Sequence, residues 1–205
     1  MIDFERIAAA PVTHEPFAHF VARDTIDTGT LRDIGKDFPP IQKPGVFPLS
    51  ELTYGERFAA LIDDIKSSEL EELLSEKLDV DLAGLPLLIT IRGFCQKKDG
   101  RIHTDSTDKI VTCLLYLNEP WQESGGRLRL LRNGTDLEDM IAEVPPDGGT
   151  LVAFKRSDNS WHGHHPFEGP RRYVMFNWVR SSAALGRNMR RHILSARLKR
   201  LNPFG

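Results

Sequence analysis

Apolar residues in the first part of the chain recur at the spacing of amphipathic helices. One apolar series follows Thr53 and Glu56, and a second follows Ser68 and Glu71; both pairs have the spacing of a helix-initiating capping box. The two series comprise Phe58, Leu61, Ile62 and Ile65, and Leu70, Leu73, Leu74 and Leu78. We therefore predict that residues 1–83 are mainly helical, with a proline-rich irregular connection over residues 24–50.

From about Pro86 the pattern changes to that of β-strands. Short runs rich in β-branched, leucine and aromatic residues alternate with glycine and proline pairs. The runs are LLITIRGFC, KIVTCLLYL, GRLRLL, MIAEV, GTLVAFK and RRYVMFNWV. Strands of this length and spacing favour a sandwich or barrel over alternating β-α units. We predict a β core over residues 84–181 and a closing helix over 185–201, with apolar positions at Leu185, Met189, Ile193 and Ala196.

The composition predicts one globular domain spanning residues 1–205. Hydrophobic residues make up 40% and charged residues 27% of the chain, which is ordinary for a soluble protein. No apolar run approaches the roughly 20 residues that span a bilayer, and the N-terminus lacks a secretory pattern. Cys95 and Cys113 are the two cysteines, and they form no metal-binding pair in sequence. This usage predicts a cytoplasmic location without a disulfide framework.

The net charge of −2 conceals an asymmetry along the chain. Nine basic residues and no acidic residue follow Glu168. A basic end of this kind can bind nucleic acid or an acidic membrane. No aromatic residues interleave with the charges to stack on bases, so we favour packing of the basic helix near the acidic stretch 69–81. Nucleic-acid binding remains the alternative, testable by binding across a salt series.

Metal-ligating side chains occur in two short motifs. His103 and Asp105 are two residues apart, so an extended backbone places both on the same side, where they can share one metal ion. A histidine from the later run 160–166 would complete a set of two histidines and one carboxylate, which is typical of non-haem Fe(II) oxygenases. His162, His164 and His165 are all candidates for this third position. A zinc hydrolase using the same residues is the alternative that metal analysis would separate.

An arginine pair begins the last predicted strand. In a regular strand Arg171 and Arg172 point to opposite faces, so one of them is expected to face inward. A buried arginine without a partner is costly, and a bound carboxylate would satisfy it through two parallel hydrogen bonds. If the inward residue is Arg172, it shares its strand face with Val174, Phe176 and Trp178.

Residues 101–179 resemble the catalytic core of the 2-oxoglutarate and Fe(II)-dependent dioxygenases, and most closely the prolyl hydroxylase branch, which includes the enzymes that modify hypoxia-inducible factor. The resemblance is carried by motifs whose order and spacing match over roughly eighty residues. These are His103-Thr104-Asp105, the run from Val111 to Asn118, Trp121, the run from Gly125 to Leu130, His162 with Pro166, and Arg172 with Trp178. No tyrosine stands on the strand before His103, where prolyl hydroxylases often carry one.

The resemblance implies a fold and a set of site residues. The fold would be mainly β with flanking helices: a double-stranded β-helix, of the jelly-roll or cupin kind, with N-terminal helices and a C-terminal helix. The iron ligands would be His103, Asp105 and His162. The cosubstrate would be held by Arg172 and Tyr116 in a pocket whose walls include Thr112, Leu114, Leu128 and Trp178. No further catalytic residue is predicted.

The implied activity is oxidative decarboxylation of 2-oxoglutarate coupled to hydroxylation of a C–H bond. The cofactors would be Fe(II), 2-oxoglutarate and O2, with ascorbate as a further candidate. The substrate is expected to be a small molecule, a peptide or a protein, with a prolyl residue as the first candidate, and a homodimer is a further expectation. A non-catalytic metal-binding or small-molecule-binding module of the same fold is the alternative function.

Overall fold

The computed structural model describes residues 1–201, with side chains up to residue 195. Its centre is a six-stranded antiparallel sheet facing a smaller three-stranded one. The strands are β1 (His19–Ala22), β2 (Phe47–Pro48), β3 (Leu87–Cys95), β4 (Lys109–Tyr116), β5 (Leu128–Leu131), β6 (Met140–Val144), β7 (Leu151–Lys155), β8 (His162–Gly163) and β9 (Gly169–Val179). The large sheet has the order β1-β7-β4-β9-β3-β2, and the small sheet has the order β6-β5-β8. This arrangement confirms the predicted double-stranded β-helix.

Helices flank the sheets. They are α1 (Phe4–Ala9), α2 (Thr28–Asp37), α3 (Glu56–Ile65), α4 (Ser68–Leu78) and α5 (Ser182–Leu201). None of the helices in the described chain combines the length and the low polarity needed to cross a membrane.

Two apolar clusters hold the layers together. The larger one packs α1–α4 against the outer face of the large sheet, where Phe176 and Trp178 are almost fully buried. The smaller one lies between the two sheets and includes Leu114, Tyr116 and Leu128. Strand β9 therefore contributes to both clusters, because its alternate side chains point into different layers.

The predicted helix starts need correction. Helix α3 begins after Gly55, which offers no side-chain cap, and the Asp37 carboxylate accepts from the Arg57 amide instead. Helix α4 is capped by Ser67, whose hydroxyl accepts from the Leu70 amide, one residue before the predicted Ser68.

The segment over residues 24–50 also differs from the prediction, because it contains α2, which Asp27 caps by accepting from the Thr30 amide. Strand β1 lies in the stretch predicted as helical. It adds to β7 at the sheet edge, which is a tertiary pairing that local periodicity does not reveal.

Helix α5 confirms the predicted closing helix. Its Leu185 and Met189 pack with Ala184 against β3 and β9. The side chain of Ala196 lies outside the described part of the chain. The expected packing against the acidic stretch 69–81 is wrong for the described residues, since α5 packs mainly on β2, β3 and β9 and Arg187 pairs with Asp108.

Candidate metal centre and cosubstrate cavity

Two histidines distant in sequence meet across a β-bridge. The amide of His103 donates to the carbonyl of His162 at 3.0 Å, and the reciprocal bond has the same length. Their imidazole centroids are 4.3 Å apart. One ligand atom each from His103, Asp105 and His162 lies within 4.8 Å of the others. The structure thus brings together the three residues predicted to hold a metal.

Backbone carbonyls fix the orientation of both imidazoles. Nδ1 of His103 lies 2.8 Å from the carbonyl oxygen of Arg101, and Nδ1 of His162 lies 3.0 Å from that of Ser160. A carbonyl oxygen only accepts, so Nδ1 carries the proton in both rings. Each Nε2 is then left with the lone pair that a metal requires.

The Asp105 carboxylate is held by its neighbours on β4. Lys109 donates to one oxygen at 2.7 Å, and the Thr112 hydroxyl donates to the other. Burial alone would raise the pKa of Asp105, but the charge of Lys109, the charge that His162 carries at acidic pH and these hydrogen bonds outweigh burial and keep the pKa well below its usual range. Asp105 is therefore an anion at neutral pH.

Burial lowers the pKa of His162 to about 4, although the Asp105 charge opposes this shift. The ring is therefore neutral at physiological pH. A neutral imidazole beside a carboxylate is a suitable donor set for a divalent ion with open coordination positions. The donor set thus fits Fe(II).

A buried arginine lies in the same cavity, but it is not the predicted one. Arg171 is 2% exposed. Its guanidinium donates to the Gly126 carbonyl at 2.8 Å and to the Tyr116 hydroxyl at 3.2 Å. Its guanidinium carbon lies 5.3 Å from the Tyr116 ring centroid and 5.2 Å from that of Tyr173. Burial raises the pKa of Tyr116 to about 12, so its hydroxyl stays protonated and able to donate.

The prediction that Arg172 and Trp178 face the pocket is wrong. Arg172 is exposed and lies over the Phe38 ring at 5.2 Å, and Trp178 packs among the helices with its indole nitrogen 3.2 Å from the Glu71 carboxylate. From Val174 onward the helices bury the outer face of β9, and the small sheet covers its inner face. Alternation of apolar residues therefore did not show which face was the pocket side.

The cavity has a volume of about 620 Å³, within the range of small-molecule sites. Three of the predicted pocket residues, Thr112, Leu114 and Leu128, line it. Tyr116 does not line the cavity itself, but its hydroxyl accepts a hydrogen bond from Arg171, which does. His164 also lines it, and burial together with the Arg171 charge lowers the pKa of this histidine to about 4.

Several lining residues were missed by the sequence analysis. On the strands these are Arg92, Tyr173 and Met175, with Asp99 following β3; on α5 they are Asn188, Arg191, His192 and Ser195. Arg92 forms an ion pair with Asp99, and its guanidinium carbon lies 5.9 Å from the Tyr173 ring centroid. Tyr173 supplies an aromatic hydroxyl although β3 has no tyrosine. The signal in the sequence was that Tyr173 follows Arg171 by two residues on β9, so the two side chains share a strand face. That signal required knowing that Arg171 is the arginine that faces the cavity.

Residues 93–180 match the family model of the 2OG-Fe(II) oxygenase superfamily. No curated protein sequence matches the chain. Among solved structures, a Pseudomonas putida prolyl-4-hydroxylase is 20% identical with a TM-score of 0.55, covering 87% of this chain and 97% of that one. A viral collagen prolyl hydroxylase from Paramecium Bursaria Chlorella virus-1, solved as a 2OG complex, is 14% identical with a TM-score of 0.56, covering 80% and 95%.

A prolyl 4-hydroxylase from Phytophthora capsici is 20% identical with a TM-score of 0.52, covering 80% of this chain and 59% of that one. These structures show a shared fold. The family match over residues 93–180, the shared fold and the metal-ligating set support a 2-oxoglutarate/Fe(II) oxygenase with a prolyl hydroxylase-like architecture. They also support Fe(II) and 2-oxoglutarate as its metal and cosubstrate.

Proposed function

We propose that the protein is a hydroxylase that couples oxidative decarboxylation of 2-oxoglutarate to hydroxylation of a C–H bond. The observation that carries the proposal is the pairing of two sites in one cavity. Three metal donors lie within 4.8 Å of one another. Arg171 is a buried cation in the same cavity, and no carboxylate among the described residues lies within ion-pair distance of it. A divalent metal and a dicarboxylate complement these two sites.

In this proposal His103, Asp105 and His162 hold Fe(II) on one side and leave its other positions open. When bound, Fe(II) supplies the redox chemistry by which O2 and 2-oxoglutarate yield succinate, CO2 and one oxygen atom for the substrate C–H bond. Lys109 and Thr112 orient the Asp105 carboxylate, so the anionic ligand does not need to reorganise when the metal arrives.

Arg171 and Tyr116 are proposed to bind the distal carboxylate of 2-oxoglutarate. The guanidinium is held between two tyrosine rings and is therefore already placed for a two-bond contact. Leu114, Leu128 and Met175 line the cavity and exclude water from this contact.

A prolyl residue is the first candidate for the hydroxylated group, because the solved structures with this architecture include prolyl hydroxylases. We further propose that residues 1–205 act as one domain, since helices of the first 83 residues pack on the large sheet. A cytoplasmic location is also proposed; both cysteines are free and buried.

The test is 2-oxoglutarate turnover by anaerobically Fe(II)-loaded protein, followed as succinate, with and without a pool of proline-containing peptides. We expect succinate formation that is lost in His162→Ala and kept in the control His14→Ala, whose histidine is exposed. Stimulation by the peptides would support the prolyl assignment. Succinate formation that survives in His162→Ala would contradict the ligand assignment, and absence of both turnover and 2-oxoglutarate binding would favour a non-catalytic module.

A further inference from the structure

The cavity carries an excess of positive charge that the metal and the cosubstrate do not remove. Its charged lining consists of Arg92, Lys109, Arg171 and Arg191 against Asp99 and Asp105, which leaves two positive charges. Fe(II) would add two positive charges, and 2-oxoglutarate would add two negative ones. The excess of two therefore remains and faces any second molecule that enters.

Helix α5 supplies one wall of this cavity. Asn188, Arg191, His192 and Ser195 line it, at the i, i+3, i+4 and i+7 spacing that places side chains on one helical face. The helix is held by its first turns: Arg187 pairs with Asp108 at 2.6 Å, and Asn188 donates to the same carboxylate at 3.3 Å. The polar face of α5 is thus fixed against the cavity by contacts at its N-terminal end.

Arg191 is the cation on this wall that is free to meet a ligand. Lys109 and Arg92 are paired with Asp105 and Asp99, whereas within the described chain no carboxylate lies within ion-pair distance of Arg191. Its side chain is exposed at the cavity, so it can reach an entering anion without first breaking a protein contact.

We propose that the substrate carries an anionic group, a carboxylate or a phosphate, which binds against Arg191 on the α5 wall while the carbon to be oxidised lies near the metal. This inference rests on the proposed function, because it assigns the second molecule of that reaction. An anionic group there offsets the charge that Fe(II) and 2-oxoglutarate leave uncompensated. A neutral substrate would leave that charge unbalanced in a partly enclosed cavity.

The experiment uses Mn(II)-loaded protein saturated with 2-oxoglutarate, whose binding is first established by calorimetry. Inorganic phosphate, ¹³C-labelled acetate and, as a neutral control, ¹³C-labelled ethanol are added separately under an excess of protein. Paramagnetic relaxation of each probe by Mn(II) is then measured, because it is strong only for a probe near the metal. We expect saturable enhancement for at least one anion and none for ethanol.

Variant Arg191→Gln should weaken the anion affinity roughly fivefold, the effect of one exposed charge pair. Arg190→Gln removes the same charge one position earlier on α5, from a residue outside the cavity lining, and should leave the affinity unchanged. Enhancement limited to phosphate or to acetate would name the anionic group.

Absence of anion binding in protein that binds 2-oxoglutarate would overturn this inference alone. Binding that is equal in Arg191→Gln and wild type would overturn it too, since the anion would then bind without Arg191. Failure to bind 2-oxoglutarate would instead contradict the proposed function on which the inference rests.

Discussion

Replacement of Arg171 by Gln tests which arginine binds the cosubstrate. Arg171 is 2% exposed, and glutamine removes its charge and its two-pronged donor geometry. Truncating one partner of a buried, hydrogen-bonded charge pair costs about 2–5 kcal/mol. The dissociation constant of 2-oxoglutarate is thus expected to rise by roughly 30-fold to several thousand-fold.

Arg172→Gln is the matched control, because it makes the same chemical change one position along β9. Arg172 is exposed, and its recorded side-chain contact is with the Phe38 ring, so the affinity for 2-oxoglutarate should change by less than about twofold. Arg171→Lys keeps the positive charge but loses the two-pronged donor geometry, so its affinity for 2-oxoglutarate should lie between those of Arg171→Gln and Arg172→Gln.

Calorimetric titration of 2-oxoglutarate into anaerobic Mn(II)-loaded protein measures all three variants, with thermal unfolding to establish that each is folded. A loss of affinity in Arg172→Gln while Arg171→Gln binds normally would refute the assignment of the inward face of β9.

Three further perturbations test the surroundings of the site. Lys109→Met leaves the buried Asp105 carboxylate without its cation and should destabilise the metal-free protein by about 3–5 kcal/mol. Added Mn(II) should raise the melting temperature of this variant more than that of wild type. Equal increases in melting temperature would contradict the role of Lys109 as the partner of Asp105. Burial alone would raise the pKa of Asp99, but the Arg92 charge together with hydrogen bonds from the Gln96 amide and Arg92 outweighs burial and lowers that pKa. The contribution of Asp99 to stability therefore exists above about pH 4 and is lost as pH falls through the lowered value. In denaturant titrations, the free energy of unfolding of Asp99→Asn should therefore fall less between neutral and acidic pH than that of wild type. Trp178→Phe should lower the free energy of unfolding by about 1–2 kcal/mol, because an indole hydrogen bond and packing are lost, and should leave the affinity for 2-oxoglutarate unchanged. A large loss of 2-oxoglutarate affinity would indicate that Trp178 does line the pocket.

Local sequence patterns were sufficient for the six strands predicted from residue 86 onward and for two of the three metal ligands. The i, i+2 spacing of His103 and Asp105 is a short-range property of extended backbone, and the structure adds the His162 bridge that closes the set. The face of β4 carrying Thr112 and Leu114 was likewise predicted, because its alternation places both side chains on one side of the strand.

The orientation of β9 was decided by tertiary structure. From Tyr173 onward both of its faces are covered, one by the small sheet and one by the helices, so apolar alternation gave no signal for choosing Arg171 over Arg172. Only the pairing with β4, which places Tyr173 opposite Tyr116, directs Arg171 towards the metal set.

The cavity wall formed by α5 and the Arg92–Asp99 pair also depend on the fold. Their side chains come from segments remote in sequence from the metal motifs, and they reach the cavity because helices and strands pack in a particular three-dimensional order. The sequence by itself thus determined which metal-ligating side chains are available and where six of the strands lie. The three-dimensional packing of layers determined which charged side chains surround those donors, because burial on both sides of a strand erases the pattern that would otherwise distinguish its faces.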